Sequence, residues 1–139
     1  MVKKQQKAWV YSPGKSQPGK VPESLKAEVT RKAQDLVETV LKPHYVQPVP
    51  EDQQFNYIVD IYTRWHGHYF YFCAKYCVPR PNAIAPFFES KFARLDYVGN
   101  EQFNLSFQRY NGQWITIYTD LSLDECLTSV RDDPWFAAG

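Results

Sequence analysis

No stretch of this 139-residue chain approaches the roughly 18 consecutive apolar residues of a membrane span. The basic N-terminus also lacks the apolar core of a secretory signal. Both absences point away from a membrane and toward the cytoplasm. Cysteine is scarce, and Cys73, Cys77 and Cys126 make an odd number, which argues against a disulfide framework. On one strand Cys73 and Cys77 would sit ~13 Å apart at ~3.3 Å per residue. That is too far for a disulfide, which needs less than about 7 Å between Cα atoms, and too far for one shared metal ion. The three read as reduced, partly buried apolar residues. A large net charge is missing too. The formal value is +1, so bulk charge makes no case for nucleic acid or an acidic partner. There is no phosphate-cradling Gly-rich loop, no Gly-x-Ser-x-Gly elbow and no recognised RNA-binding signature. No cofactor is expected. Acidic residues are absent from positions 1–22, where Lys3, Lys4, Lys7, Lys15 and Lys20 accumulate.

What the chain has instead is aromatic side chains. Phe, Tyr or Trp fills nine of the twenty-two positions from Phe55 to Tyr76. A β-sheet suits such density, because each face of a pleated ribbon displays rings and aromatic residues favour a half-buried surface. A chain of this length forms one domain with a single core. Not every ring fits inside so small a core, so some must line an outer surface.

Residues 1–21 read as a basic extended arm, punctuated by Pro13, Gly14, Pro18 and Gly19. Trp9, Val10 and Tyr11 form its one apolar knot. Residues 22–139 then form a single α+β domain. Pro22 suits the first position of a helix running to about Leu41. Leu25, Val29, Ala33, Leu36, Val37, Val40 and Leu41 make its apolar stripe, and Pro43 stops it. Glu28 and Lys32 can pair on its wet face.

Five antiparallel strands follow. A turn at His66-Gly67 joins the first two. It places Tyr57, Val59, Ile61 and Thr63 with Phe70, Phe72, Ala74 and Tyr76 on a core face. Ile58, Asp60, Tyr62 and Arg64 then share the outer face with Tyr69, Tyr71, Cys73 and Lys75. A one-step slip would exchange the faces. Residues 79–88 read as a loop, and the third strand runs near Lys91 to Val98. A three-residue loop, Gly99-Asn100-Glu101, aligns Ala93, Leu95 and Tyr97 with Phe103, Leu105 and Phe107. Asn111-Gly112 is a strong two-residue hairpin signal, setting Arg109 opposite Trp114 and Leu105 opposite Tyr118. Arg94, Asp96, Ser106, Gln108 and Tyr110 face outward, with Ile115 and Ile117 as apolar exceptions. Ser122-Leu123-Asp124-Glu125 is a capping box that opens a short helix to about Arg131. The whole is a five-stranded antiparallel meander packed against one long N-terminal and one short C-terminal helix.

The run Phe92-Ala93-Arg94-Leu95-Asp96-Tyr97-Val98, with Gln113-Trp114, Tyr118, Ser122-Leu123-Asp124-Glu125-Cys126-Leu127 and Asp132-Asp133, resembles a small bacterial domain family of unknown function. The similarity spans residues 25–136 in the order of elements. It implies a compact helix, a strand meander and a short capped helix. It implies no activity and no catalytic or binding residue.

Two constellations could carry chemistry. His66 and His68 lie on one side of a strand, ~7 Å apart, but no third ligand accompanies them and they read as exposed turn residues. Asp60, Tyr62, Arg64, Tyr69, Tyr71 and Lys75 share the outer face, with Asp60 and Arg64 able to pair across Tyr62. A general acid–base site needs a cleft, which an open sheet does not give. Candidate binding residues are therefore Tyr62, Arg64, Tyr69, Tyr71, Lys75 and Arg94. They suit a non-enzymatic module that uses this face and the basic arm to contact a protein partner or a second copy of the chain. The alternative is a single-stranded nucleic-acid binder that stacks bases on the tyrosines. Asp60 and Asp96 on the same face weaken that alternative.

Overall fold

The computed structural model describes residues 5–6, 20–49, 51 and 55–139. Helix α1 (Glu23–Leu36) buries Leu25, Val29, Ala33 and Leu36, the stripe their spacing predicts. Lys26 N donates to Pro22 O at 2.9 Å, so Pro22 caps the helix rather than opening its first turn. The Glu28–Lys32 pair forms at 3.6 Å. The path does not stop ahead of Pro43. It widens into a π turn (Val37–Leu41) and ends in α2 (Lys42–Tyr45). Within an α-helix a proline lacks its donor and crowds the preceding turn. The wider turn ahead of Pro43 takes up that misfit.

Strands β1 (Gln5–Gln6), β2 (Tyr57–His66), β3 (Tyr69–Cys77), β4 (Phe87–Gly99), β5 (Gln102–Gln108) and β6 (Trp114–Leu121) form one antiparallel sheet in the order β1-β6-β5-β4-β3-β2. The expected α+β meander is therefore present, with one addition. Gln5 and Gln6 pair with Thr119 and Tyr118 at the β6 edge, where the sequence suggested no element. Two backbone pairs need no side-chain pattern, so composition carried no sign of them. Residues 1–4 and 7–19 of the expected arm, including Trp9, Val10 and Tyr11, lie outside the described residues, and Val21 at its end is buried in the core.

Helix α3 (Leu123–Asp132) starts on the expected capping box. Ser122 Oγ accepts from Glu125 N at 3.2 Å, and Ser122 N donates to Glu125 Oε1 at 2.9 Å. Helices α1 and α3 pack on one face of the sheet, and Trp65 Nε1 donates to Thr30 Oγ1 at 3.1 Å to tie β2 to α1. Between them lies the core: Ile61, Phe70, Phe72, Ala93, Leu95, Phe103, Leu105, Ile117 and Leu121 are all but inaccessible to solvent, with Phe136 closing one end. Each such phenylalanine or leucine contributes about 1.5–3 kcal/mol relative to its exposed state.

The turns differ from expectation in ways that preserve or flip faces. The first loop is Gly67-His68, with His66 opposite Tyr69. Gly67 has φ +61° and precedes a residue of ordinary φ, as a II′ turn requires. Each strand shifts by one residue together, so the faces survive from Asp60 to Lys75. A bulge between Ile58 and Asp60 then reverses them: Ile58 is buried and Val59 half-exposed, opposite to the sequence reading. A second bulge, between Phe72 and Cys73, shifts the register against β4, while Cys73, opposite Tyr62, keeps its expected place on the outer face and is buried there.

Strand β4 begins at Phe87, four residues before the expected start. The β4–β5 register is the expected one, Leu95 opposite Leu105 and Tyr97 opposite Phe103. Asn100 and Glu101 alone form its loop, both at positive φ, with Gly99 paired to Gln102. Gly112 is the only positive-φ residue in the loop between β5 and β6. Arg109 N donates to Gln113 O at 2.8 Å, so the loop holds three residues and Trp114 faces Gln108 instead of Arg109. Arg109 is exposed, not at the core rim. A bulge between Leu105 and Ser106 restores the expected Leu105–Tyr118 pair and turns Ile117 into the core.

Candidate binding face

The sheet face away from the helices carries one row of side chains across five strands. Arg64, Tyr71, Arg94, Ser106 and Thr116 are successive cross-strand partners from β2 to β6. Beside it runs a second row: His66, Tyr69, Asp96 and Asn104. Strand alternation puts both rows on one side. All six sequence-chosen residues belong to this face. Arg64, Tyr71 and Arg94 sit in the first row and Tyr69 in the second. Tyr62 lies opposite Cys73, and Lys75 opposite Asp60 and Glu89.

Glu89 organises one half of the face. Tyr62 Oη donates to its Oε2 in a short hydrogen bond. Arg64 Nη2 lies 2.8 Å and Lys91 Nζ 3.3 Å from its Oε1. Burial by itself would raise the Glu89 carboxyl. The bonds from Tyr62 and Lys91 and the charges of Arg64 and Lys91 outweigh it and hold the group below its ordinary value. Burial, then Glu89, pushes the Tyr62 phenol up, and burial with the same carboxylate pushes the Cys73 thiol to about 11. Both stay protonated at neutral pH. Neither is a base or a nucleophile there.

Rings and cations interleave in the other half. The Arg94 guanidinium lies 4.3 Å from the Tyr69 ring centre and 4.8 Å from that of Trp114. Tyr71 stands 5.8 Å from Trp114 and 6.1 Å from Tyr69, with Lys91 Nζ 5.6 Å from its own centre. His68 Nε2 is 3.2 Å from Asp96 Oδ1. Ser106 and Thr116 hydroxyls bond each other at 3.0 Å. Lys75 lies 4.5 Å from the centre of Phe87.

The Asp60–Arg64 pair that the sequence allowed does not form. Asp60 accepts from Ile61 N at 2.9 Å and meets Lys42 at 3.4 Å, leaving Arg64 to Glu89. His66 and His68 are not part of any cluster of metal-ligating groups among the described residues. Two residues central to the face were not singled out from the sequence. Glu89 fell beside a stretch read as loop. Trp114 was set opposite Arg109, and only the three-residue loop brings it to this face.

Elsewhere, a groove of about 1270 Å³ runs between α1 and α3, lined among others by Lys26, Thr30, Arg31, Leu127 and Arg131. No His, Cys or Tyr side chain lines it; its ionisable side chains are carboxylates, lysines and arginines. No described helix is long and apolar enough to cross a membrane.

Comparison with known proteins agrees with the resemblance read from residues 92–133. A family model described as "Domain of unknown function (DUF3024)" matches residues 21–137. No curated protein and no solved structure matches the chain.

Proposed function

The chain belongs to the DUF3024 family of unknown function, which assigns it no activity, and we propose that it is a non-enzymatic binding module whose outer sheet face contacts a protein partner. The supporting observation is the half-buried row from Arg64 through Tyr71 and Arg94, flanked by Tyr69 and Trp114. Tyrosine, tryptophan and arginine are the residues that dominate binding hot spots, because they present large, stiff contact area with a polar tip. The lysines of residues 1–21 would add a basic flank for acidic groups around the contact. Cys73 and Cys77 without a disulfide fit a reducing, cytoplasmic setting.

Single-stranded nucleic acid is the alternative. Tyr69, Tyr71 and Trp114 could stack bases. It has less support, because Glu89 already engages Arg64 and Lys91, and Asp96 adds a second negative charge to the face.

The double variant Tyr69→Ala/Tyr71→Ala tests the first reading in affinity capture followed by quantification of a reproducible partner. Capture should drop at least about tenfold while the thermal unfolding curve keeps its cooperative shape. Undiminished capture by a folded double variant rejects the face. Steeply salt-dependent binding of single-stranded oligonucleotides at ~50 mM salt would favour the alternative instead.

A further inference from the structure

We propose that Arg94 is the anchor of this face and that its ligand is a carboxylate presented by the partner protein, an inference that rests on the binding-module reading. The Arg94 guanidinium carbon lies 4.3 Å from the Tyr69 ring centre and 4.8 Å from that of Trp114. Rings this close attract the cation but accept no conventional hydrogen bond, so its fork of N–H donors still needs acceptors. Those donors are poorly served. The Nε is buried and has no hydrogen-bond partner. The nearby hydroxyls of Ser106 and Thr116 bond each other.

Among the described residues counter-charge is missing as well. Glu89 serves Tyr62, Arg64 and Lys91, and Asp96 serves His68. Among the described residues no carboxylate pairs with Arg94. Nor can residues 1–22 supply one, since they contain no acid. A partly desolvated guanidinium without an acceptor is costly to maintain. A carboxylate meets its geometry with two parallel hydrogen bonds. Phosphate shares that chemistry. A phosphate backbone, however, would bring several charges past Glu89 and Asp96, whereas a single Asp, Glu or C-terminal carboxylate needs only the space beside Arg94.

The test follows the Arg94 Nε–Hε signal in nitrogen–proton correlation spectra of the intact chain, assigned by its loss in Arg94→Lys. The probes are N-acetylglutamate, the neutral N-acetylglutamine and inorganic phosphate. The expected result is a saturable shift with N-acetylglutamate in the millimolar range, about that of one isolated ion pair, accompanied by the Trp114 indole signal. N-acetylglutamine should give none. In Arg94→Lys the Trp114 response should weaken by at least about tenfold, because an ammonium cannot make the paired contact. Three results overturn the proposal: a shift no larger than that of the exposed Arg109, a response to phosphate alone, or an equal response to the neutral amide. Its failure differs from failure of the binding face. If Tyr69→Ala/Tyr71→Ala abolishes capture and Arg94→Lys leaves it intact, the face stands and the carboxylate anchor falls.

Discussion

Along β3, Phe70 and Phe72 alternate with Tyr69 and Tyr71. The phenylalanines are fully buried beneath the helices, while the tyrosines are half-buried on the opposite face. The ring systems are nearly the same size, and one oxygen atom per ring separates their fates. A phenol cannot leave water without a hydrogen-bond partner except at a cost of about 1–3 kcal/mol, and the middle of the inner face is built from apolar groups alone. Of the tyrosines on the inner side, Tyr97 is buried in the core cluster, while Tyr76 and Tyr118 reach acceptors. Tyr76 Oη donates to Ala138 O at 2.7 Å, and Tyr118 Oη bonds to Asp133. The same rule explains the charges. Among the described residues no Asp, Glu, Lys or Arg is buried in the core, and the outer face balances rings against Arg64, Lys91, Arg94, Glu89 and Asp96.

The largest expected effect is a direct break of the contrast. Phe72→Ala should lose about 3–5 kcal/mol, the range for a buried phenylalanine whose site collapses incompletely. Tyr71→Ala, one residue away, should lose less than about 1.5 kcal/mol, because its ring is partly wet. Denaturant midpoints of the two variants at constant slope measure both. Equal losses would mean that the outer ring is as deeply structural as the inner one, and the face would cease to be a candidate for binding.

A single-atom exchange sharpens the comparison further. Phe72→Tyr should cost about 1–3 kcal/mol for a hydroxyl with no acceptor, whereas the reverse change, Tyr71→Phe, should stay within about 0.5 kcal/mol. Thermal unfolding of the pair, read at one midpoint temperature, separates them. A tolerated Phe72→Tyr would require an unrecognised acceptor or water in the core.

The alternation that sorts these rings was legible in the sequence, because a two-residue period fixes sides once the turn parity is known. Tyr62, Arg64, Tyr69, Tyr71, Lys75 and Arg94 could therefore be gathered before any coordinates. Bulges were not legible. Those near Val59, Phe92 and Ile117 each shift parity by one residue, and Ile58 and Ile117 turn inward against expectation. Nothing in the local sequence marks an extra unpaired residue; it arises where twist and packing demand it. Asn111-Gly112 misled for a related reason. The dipeptide suits a two-residue turn, yet glycine serves equally as the positive-φ residue closing a three-residue loop. Trp114 thus joined the outer face unannounced. Glu89 was hidden because β4 begins four residues earlier than its pattern suggests, in a segment whose prolines resemble loop.

The smallest effect concerns the charged half of the outer face, and it has a pH signature that the inner face lacks. Glu89 accepts from Tyr62 and pairs with Arg64 and Lys91, and its carboxyl is held below the ordinary 4.5. A carboxyl with a depressed folded-state pKa stabilises fully above its unfolded value and loses that contribution as pH drops through the folded one. Glu89→Gln should therefore cost about 1 kcal/mol near neutrality, a modest figure because the group remains partly solvated. The gap between the two proteins should hold down to about pH 5 and close below the ordinary value of 4.5. Phe72→Ala, lacking any proton linkage, should keep a constant gap over the same range. Urea unfolding at several pH values distinguishes the two behaviours. A Glu89→Gln gap that stayed flat into acid would show that its three partners do not favour the ionised form, and the division of this sheet into an apolar side and an electrostatic side would lose its clearest energetic mark.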